Sequence, residues 1–501
     1  MVDKAESEII KAKNFIGGKW VEAKDGRTFE SQNPANGKLL GVLPRSSPED
    51  VEEAVAAARK AFESWSKYPA PRRGEILFKI GALLAERKEK IARLMTQEMG
   101  KVLVEARGDV QEGIDMAFYM GGEGRRQFGV TTPSEMPNKF QMAVRDPIGI
   151  VAVITPWNFP MAIPTWKIFP ALVTGNTVVF KPATDTPLVA VELVKICEEA
   201  GLPEGVLNIV LGTGAEVGNA LVQHPDIQVY SFTGSTESGK KVLIETASRL
   251  KRVSLELGGK NAIMVMEDAD LDLAMDGIIW SAYGTTGQRC TACSRLIVHK
   301  AVEQELTERL VARIEKLRLG DGLLDTTEVG PIINKTQRSS VHEYVKIGQG
   351  EGAKLATGGY VAEEAELAAG SFYRPALFTG VTPNMRIAQE EIFGPVLSMI
   401  SVGSFEEAIK VNNSVRYGLS SSIYTRDVNR AFTAIRDITS GILYINAGTI
   451  GAETHLPFGG TRETGNGHRE AAWTAIDFFT EWKAVYVDYS GKLQRAQIDM
   501  D

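Results

Sequence analysis

The sequence predicts an α/β protein with two doubly wound, parallel-sheet domains and a small β flap. Three observations carry this expectation. Residues 149–256 alternate short β-branched runs with helix-length segments, and strands separated by helices imply right-handed βαβ crossovers. The same alternation resumes at "NAIMVM" (261–266), passes through "RLIVH" (295–299) and continues to about residue 440. Two extended runs, "KFQMAVRDP" (139–147) and "AVYVDYSG" (484–491), belong to neither stretch. Isolated strands are not stable alone, so these two should pair, and their protruding edge invites another subunit.

Each element has a local reason. The chain opens with a hairpin-like "NFIGGKWVEAKDGRTFES", in which Gly17-Gly18 and Asp25-Gly26 supply turns. A helix follows, capped by Ser47 and led by Pro48, with Val51, Val55, Ala58, Phe62 and Trp65 at helical spacing. A second helix is expected over 71–98 and a third from near Lys101. Strands are expected at 149–154, 177–181, 206–211, 228–232 and 252–256. Gly201 and Pro203 stop the helix of "PLVAVELVKICEEAG". Ligands of such sheets bind beyond the carboxyl ends of the strands.

A chain of 501 residues is long enough for two or three domains. The net charge of -7 argues against nucleic acid as a partner, since that requires a basic face. Three cysteines make no disulfide framework, which points to a reducing, cytoplasmic home. The first fifteen residues contain no apolar signal core. Residues 149–180 carry one charge, Lys167, yet Pro156, Pro160, Pro164 and Pro170 divide them into pieces too short to span a bilayer. No membrane partner is expected.

Three turns are candidates for a cofactor. "LNIVLGTGAEVGNAL" (207–221) sets Gly212, Gly214 and Gly218 between a strand and a helix, but its G-x-G-x-x-x-G is one residue longer than the dinucleotide fingerprint. In "YSFTGSTESGKKV" (230–242) Ser235 is a good helix cap, and the free amides behind it suit a pyrophosphate; a plain turn is the alternative. In "VVFKPATDTP" (178–187) Lys181 ends a strand, placed to reach a ligand or simply to be solvated.

The chemistry centres on "GTTGQRCTACSR" (284–295), where Cys290 and Cys293 stand three apart. Zinc needs two more ligands at recognisable spacing, and neither Cys197 nor the five histidines provide them, so no metal is expected. A thioredoxin-type dithiol would open the first helix of a small domain, not lie this deep in the chain. A reactive nucleophile or a structural pair remains. A reactive cysteine needs a base and an oxyanion holder. Glu256 ends the apolar strand of "VSLELGGK", which suits either a base of raised pKa or a buried ion pair. Asn158 in "TPWNFP" lies past the first strand of the sheet, as an oxyanion donor or as a turn residue.

The set "TPWNFP", "KPATDTP", "FTGSTESG", "LELGGK", "GQRC", "EEIFGP" and "PFGG", in this order, resembles the aldehyde dehydrogenase superfamily, and the resemblance runs from "FIGGKWV" to "VYVDYSG". It implies an ALDH-like α/β fold of two Rossmann-like domains with a β oligomerisation flap. Residues 1–136 and 148–258 would bind the dinucleotide and 259–457 would carry the nucleophile. Segments 137–147 and 480–501 would be oligomerisation strands of a homodimer or homotetramer, and 458–479 would close the substrate side. The implied reaction is the NAD- or NADP-dependent oxidation of a small-molecule aldehyde to an acid. Cys290 would attack the aldehyde, Asn158 and the Cys290 N–H would hold the oxyanion, Glu256 would activate water against the thioester, and Lys167 would sit near the site. Lys181 would contact the adenosine ribose, Gly234 and Ser235 the pyrophosphate, and Glu391 and Phe393 the nicotinamide end. Ile154, Thr155, Pro156, Trp157, Thr184, Gly214 and Leu257 complete the implied cofactor set.

Departures from the family pattern bear on specificity. Thr184 stands where strict NAD users often carry Glu, so a 2′-phosphate is not repelled and NADP is open. "PFGGTRETGNGHRE" (457–470) has Arg462 for Lys, Thr464 for Ser and an inserted His468. Arg289, just before Cys290, suits an anionic substrate group, and Phe458 is placed on the substrate wall. An anionic semialdehyde is expected, with glyceraldehyde or glyceraldehyde 3-phosphate as the alternative. A CoA-acylating enzyme is disfavoured by Glu256, and a non-catalytic structural protein by the presence of both nucleophile and base.

Overall fold

A computed structural model describes residues 9–498. The first sheet has seven strands in the order Arg252–Glu256, Val229–Thr233, Ile150–Ile154, Thr177–Lys181, Leu207–Ile209, Asn14–Ile16 and Lys19–Val21. The first five are parallel. The last two are the N-terminal hairpin, turned by Gly17 and Gly18 at φ 58° and 82° and joined antiparallel where Ile209 faces Phe15. Period-two alternation sends side chains to opposite faces. Val151 and Val153 enter one core with Phe169 and Phe180, while Ile150 and Ala152 enter another with Val51, Val55 and Phe232. Both faces are covered, which is why these strands read as nearly unbroken apolar runs. Phe180 is fully buried, and its truncation to Ala should cost about 3–5 kcal/mol.

The second sheet runs Lys354–Thr357, Ala376–Thr379, Val396–Val402, Cys293–His299, Asn261–Val265, Ser420–Tyr424 and Ile442–Ile445, parallel except for the first strand. The two isolated strands do pair: Thr480–Asp488 lies antiparallel to Lys139–Pro147, with Ala484 opposite Ala143. A third strand, Val130–Pro133, joins their other side. Its sequence, "VTTP", is too short and polar to stand out as a strand.

The helix expected over 71–98 is two helices, Ala70–Glu86 and Lys88–Met99, broken at Arg87 (φ -100°, ψ 7°). No apolar residue between Ala85 and Ile91 ties that charged stretch to the core, so the chain is free to change direction there. A third helix, Leu103–Glu123, packs beside them. Among the described residues no helix is long and apolar enough to cross a membrane.

In the first sheet the chain winds outward from Ile150–Ile154 in one direction, then returns to place Val229–Thr233 on its other flank. The crevice at that switch opens beyond the carboxyl ends of these strands. Cys290, Glu391 and Gly258 instead lie just before strands of the second sheet. The carboxyl edge of one sheet therefore faces the amino edge of the other.

Candidate active site

The loop bearing Cys290 is wound tightly. Thr285 and Thr286 both adopt left-handed backbone, φ 50° and 57°, a conformation disfavoured for β-branched residues. Glu105 holds it there. Its carboxylate accepts the Thr285 N–H at 2.8 and 3.0 Å and the Arg289 guanidinium at 3.0 Å. Gln288 adds a donor to the Thr285 carbonyl at 3.2 Å and accepts the Ile333 N–H at 2.9 Å. Behind Cys290, the Asn261 amide donates to the Cys290 carbonyl at 2.7 Å. Burial, with Glu256 and Glu391 adding negative charge, pushes the Cys290 thiol up to about 12. Cys293 turns the other way, into the core of the second sheet with Tyr283 and Tyr424. Its thiol meets the Arg295 carbonyl at 3.3 Å.

Glu256 ends its strand fully buried, and neither carboxylate oxygen has a hydrogen-bond partner. Burial first, then the nearby Glu470, raise its pKa well above the ordinary carboxylate value; Lys167 and Arg469 oppose them. Lys167 is itself buried, ion-paired to Glu470 and donating to Ser231 Oγ at 3.2 Å. Asn158 is buried past the strand Ile150–Ile154, and its side-chain NH2 donates to the Gln288 carbonyl at 3.1 Å. That bond ties the first sheet's turn to the nucleophile loop.

Cys290 lies on the shared wall of two cavities. One, of 220 Å³, is lined by Pro156, Trp157, Asn158, Gly234, Ser235, Glu391 and Phe393, among others. Trp157 meets Phe393 edge to face, with centroids 5.3 Å apart, and Phe393 has φ 54°. The Glu391 carboxylate accepts the Gly259 N–H at 2.9 Å, and burial lifts its pKa to about 7. Ser235 Oγ caps the helix Thr236–Ala247 by accepting the Ser238 N–H at 3.3 Å. Leu257 N–H donates to the Thr464 carbonyl at 2.7 Å. Ile154 pairs with Lys181 across neighbouring strands, and the Thr155 N–H donates to the Lys181 carbonyl at 3.3 Å. Lys181 is buried, its amine donating to the Pro182 carbonyl at 2.6 Å, and burial lowers its pKa to about 8. The glycine loop lies beside it: Gly214 opens a π-helical turn, Gly214–Gly218, whose last residue faces the Lys181 side chain. Thr184 is half-buried three residues further on.

The second cavity, of 360 Å³, reaches Cys290 from the opposite side and contains Glu256, Arg289, Phe458 and Glu470. Phe458 packs edge-on to Trp166 at 4.8 Å. The Arg289 guanidinium lines the cavity but is committed: besides Glu105, it donates to Thr285 Oγ1 at 2.8 Å and lies 4.8 Å from the centre of the Trp280 ring. The opposite wall is the helix Leu103–Glu123, through Val104, Glu105, Gly108, Asp109 and Glu112. The sequence expectations omitted this wall and Glu470. The signal was available: acidic residues at 105, 109 and 112 recur at helical spacing, so they share one face. Among the described residues no cluster of three or more His, Cys, Asp or Glu side chains could hold a metal ion.

Comparison with known proteins agrees with this geometry. The family model described as "Aldehyde dehydrogenase family" matches residues 20–485. The chain is 42% identical to alpha-ketoglutaric semialdehyde dehydrogenase of Bacillus subtilis, over 95% of this chain and 97% of that one. It is 37% identical to 3-sulfolactaldehyde dehydrogenase of Pseudomonas putida, covering 97% and 99%. A crystal structure of betaine aldehyde dehydrogenase from Staphylococcus aureus in complex with NAD+ superposes with a TM-score of 0.94, at 34% identity and 96% coverage of each chain. The chain belongs to the aldehyde dehydrogenase family and is an oxidoreductase of the aldehyde group.

Proposed function

We propose that the protein oxidises an anionic semialdehyde to the corresponding carboxylic acid, using NAD or NADP, with Cys290 as nucleophile and Glu256 as base. The observation that carries this reading is Cys290 on the shared wall of two cavities, with the unpartnered Glu256 carboxylate lining one of them. Likeness to enzymes named for a semialdehyde and for sulfolactaldehyde supports an anionic substrate.

The residues of the smaller cavity fit a nicotinamide dinucleotide. A side chain on Gly234 would come within 2.7 Å of the Phe232 ring, so glycine lets this turn sit on the cavity wall without displacing that ring. The Thr155 hydroxyl is buried without a partner, and the amides behind Ser235 suit a pyrophosphate. Lys181, Thr184 and Gly214 would hold the adenosine end. Gly234 and Ser235 would hold the pyrophosphate, and Glu391 and Phe393 the nicotinamide riboside. Ile154, Thr155, Pro156, Trp157 and Leu257 would line the passage between them. When bound, the dinucleotide supplies the two-electron acceptor.

The chain's own residues do the rest. The Cys290 thiol is protonated at rest, so attack on the carbonyl carbon requires its proton to leave, and the Glu256 carboxylate is the acceptor within the cavity. The Asn158 amide and the Cys290 N–H receive the oxyanion of the thiohemiacetal. Once the carbon is oxidised to a thioester and Glu256 has released the thiol's proton to solvent, Glu256 takes a proton from water as the water oxygen bonds to the thioester carbon; the C–S bond then breaks, the acid departs, and Glu256 returns the proton to the Cys290 thiolate. Lys167 tempers the repulsion of Glu256 by Glu470. Arg289 and Phe458 form part of the substrate wall, with the charge of Arg289 balanced by Glu105.

The same reading divides the chain as its sequence suggests. Residues 1–136 and 148–258 would bind the dinucleotide, 259–457 carry the nucleophile, 458–479 close the site, and 137–147 with 480–501 build a flap for a homodimer or homotetramer in the cytoplasm; 1–8 and 499–501 lie outside the described residues, and the strand Val130–Pro133 joins the flap sheet. The test is an aldehyde panel with both cofactors, following formation of the reduced dinucleotide. Oxidation of succinic or longer acidic semialdehydes at the highest kcat/KM is expected. Activity confined to neutral or cationic aldehydes overturns the substrate assignment.

A further inference from the structure

Of the three carboxylates that the helix Leu103–Glu123 presents to the larger cavity, two are spoken for. Glu105 is held by Arg289 and the Thr285 N–H. Asp109 is ion-paired to the buried Lys101 at 2.9 Å and accepts the Ala162 N–H at 2.7 Å. Glu112 makes no side-chain hydrogen bond or ion pair among the described residues, yet lines the same cavity as Cys290. It is the one acidic side chain of that helix face left to meet a ligand.

We propose that Glu112 sorts aldehydes by charge: as a carboxylic acid it donates a hydrogen bond to the distal anion of an aldehyde held at Cys290, and as a carboxylate it repels that anion. This rests on the anionic-substrate reading above and deepens it. Arg289 carries no free charge for the task, because Glu105 lies against it at 3.0 Å. The groups facing Glu112 favour the acid form. Burial and Asp109 raise its pKa to about 8, with a smaller push from Asp115, while Lys101 and Arg289 pull it back. From the strand Ile442–Ile445, Tyr444 feels the negative charge of both Glu112 and Glu453. The sign follows: below about pH 8 the group is neutral and can donate, and above it the group is an unpaired anion on the cavity wall.

The test compares kcat/KM for succinic semialdehyde, butanal and a trimethylammonium aldehyde between about pH 6 and pH 9.5, in wild type and Glu112→Gln. Ratios between substrates cancel the shared catalytic need for Cys290 and Glu256, and comparison with Glu112→Gln removes the effect of their charges on the three aldehydes. In wild type the ratio of succinic semialdehyde to butanal should fall at least about tenfold from pH 7 to pH 9.5, as the acid form is lost. The ratio of the trimethylammonium aldehyde to butanal should rise over the same range. Both should be flat in Glu112→Gln. Flat ratios in wild type, or unchanged slopes in the Gln variant, overturn the proposal. If Glu112→Gln fails to fold, the same ratios in Glu112→Ala decide, with flat slopes expected and wild-type slopes overturning the proposal. An enzyme inert to succinic semialdehyde at every pH overturns the substrate reading instead, and the slope of the cationic aldehyde then decides for or against Glu112.

Discussion

The two cavities that meet at Cys290 are built by opposite means. The smaller is walled by turns: Pro156-Trp157-Asn158, Gly234-Ser235, Leu257-Gly258 and the stretch from Glu391 to Phe393, each at the end or the start of a strand. Backbone shape does much of the work there. A side chain on Gly258, for example, would strike the Glu391 carboxylate. The larger cavity is walled by side chains of one helix, Leu103–Glu123, facing Trp166, Arg289 and Phe458. On the helix face Glu105 and Asp109 are committed to buried partners, whereas Val104 and Glu112 make no such bond among the described residues and can change with less cost to the fold. The difference explains how one scaffold keeps its chemistry constant while its relatives bear names of such different aldehydes.

The largest effects are expected at Cys290, where the two cavities meet. Cys290→Ser should lower aldehyde oxidation by about 10³-fold or more in steady-state turnover, whichever aldehyde or cofactor is used. Glu256→Gln should lower kcat by about 10²–10⁴-fold. Because Glu256 titrates above the ordinary carboxylate range, its base form appears as pH rises, so wild-type kcat should climb with pH through that range, and the variant should lose this inflection and keep only the rise at higher pH due to the Cys290 thiol. Glu105→Ala strips the Thr285 N–H and Arg289 of their shared partner. A loss of stability of about 3–5 kcal/mol is expected for an unpaired buried charge, read as a lower Tm together with a lower kcat.

The smaller effects sharpen the distinction between the two sides. Glu391→Ala should weaken the cofactor side by about tenfold in KM or kcat and leave the ranking of aldehydes unchanged. A reordered ranking would mean that the two cavities are not separable. Thr184→Glu should shift the preference from NADP towards NAD by about tenfold, through repulsion of the 2′-phosphate, with no change in aldehyde ranking.

The turn-built side was legible in the sequence through the ordered set of motifs that carries the family resemblance, since each turn taken alone also reads as a plain turn. "TPWNFP", "FTGSTESG", "LELGGK" and "EEIFGP" all belong to that set, and the parallel strands announce themselves as apolar runs. The helix wall carried no comparable mark. Glu105, Asp109 and Glu112 read locally as solvated charges on an amphipathic helix, and only tertiary packing turns that face inward. Arg289 illustrates the same limit. Its position beside Cys290 was legible, but its commitment to Glu105 spans 184 residues of chain and has no local signature. The break at Arg87 and the short strand Val130–Pro133 were missed because both are decided by what they pack against.

One contact described above bears on how the protein is made. Lys167, in the first domain's helix Ala162–Val173, is joined to Glu470, which lies 303 residues further along the chain. The same late segment supplies Thr464, whose carbonyl receives the Leu257 N–H beside Glu256. Translation therefore delivers Lys167 and Leu257 long before the segment that completes their surroundings. Until Thr464 and Glu470 emerge, Glu256 lacks its neighbouring carboxylate and Leu257 its hydrogen bond, so on the function proposed above catalytic competence arrives last.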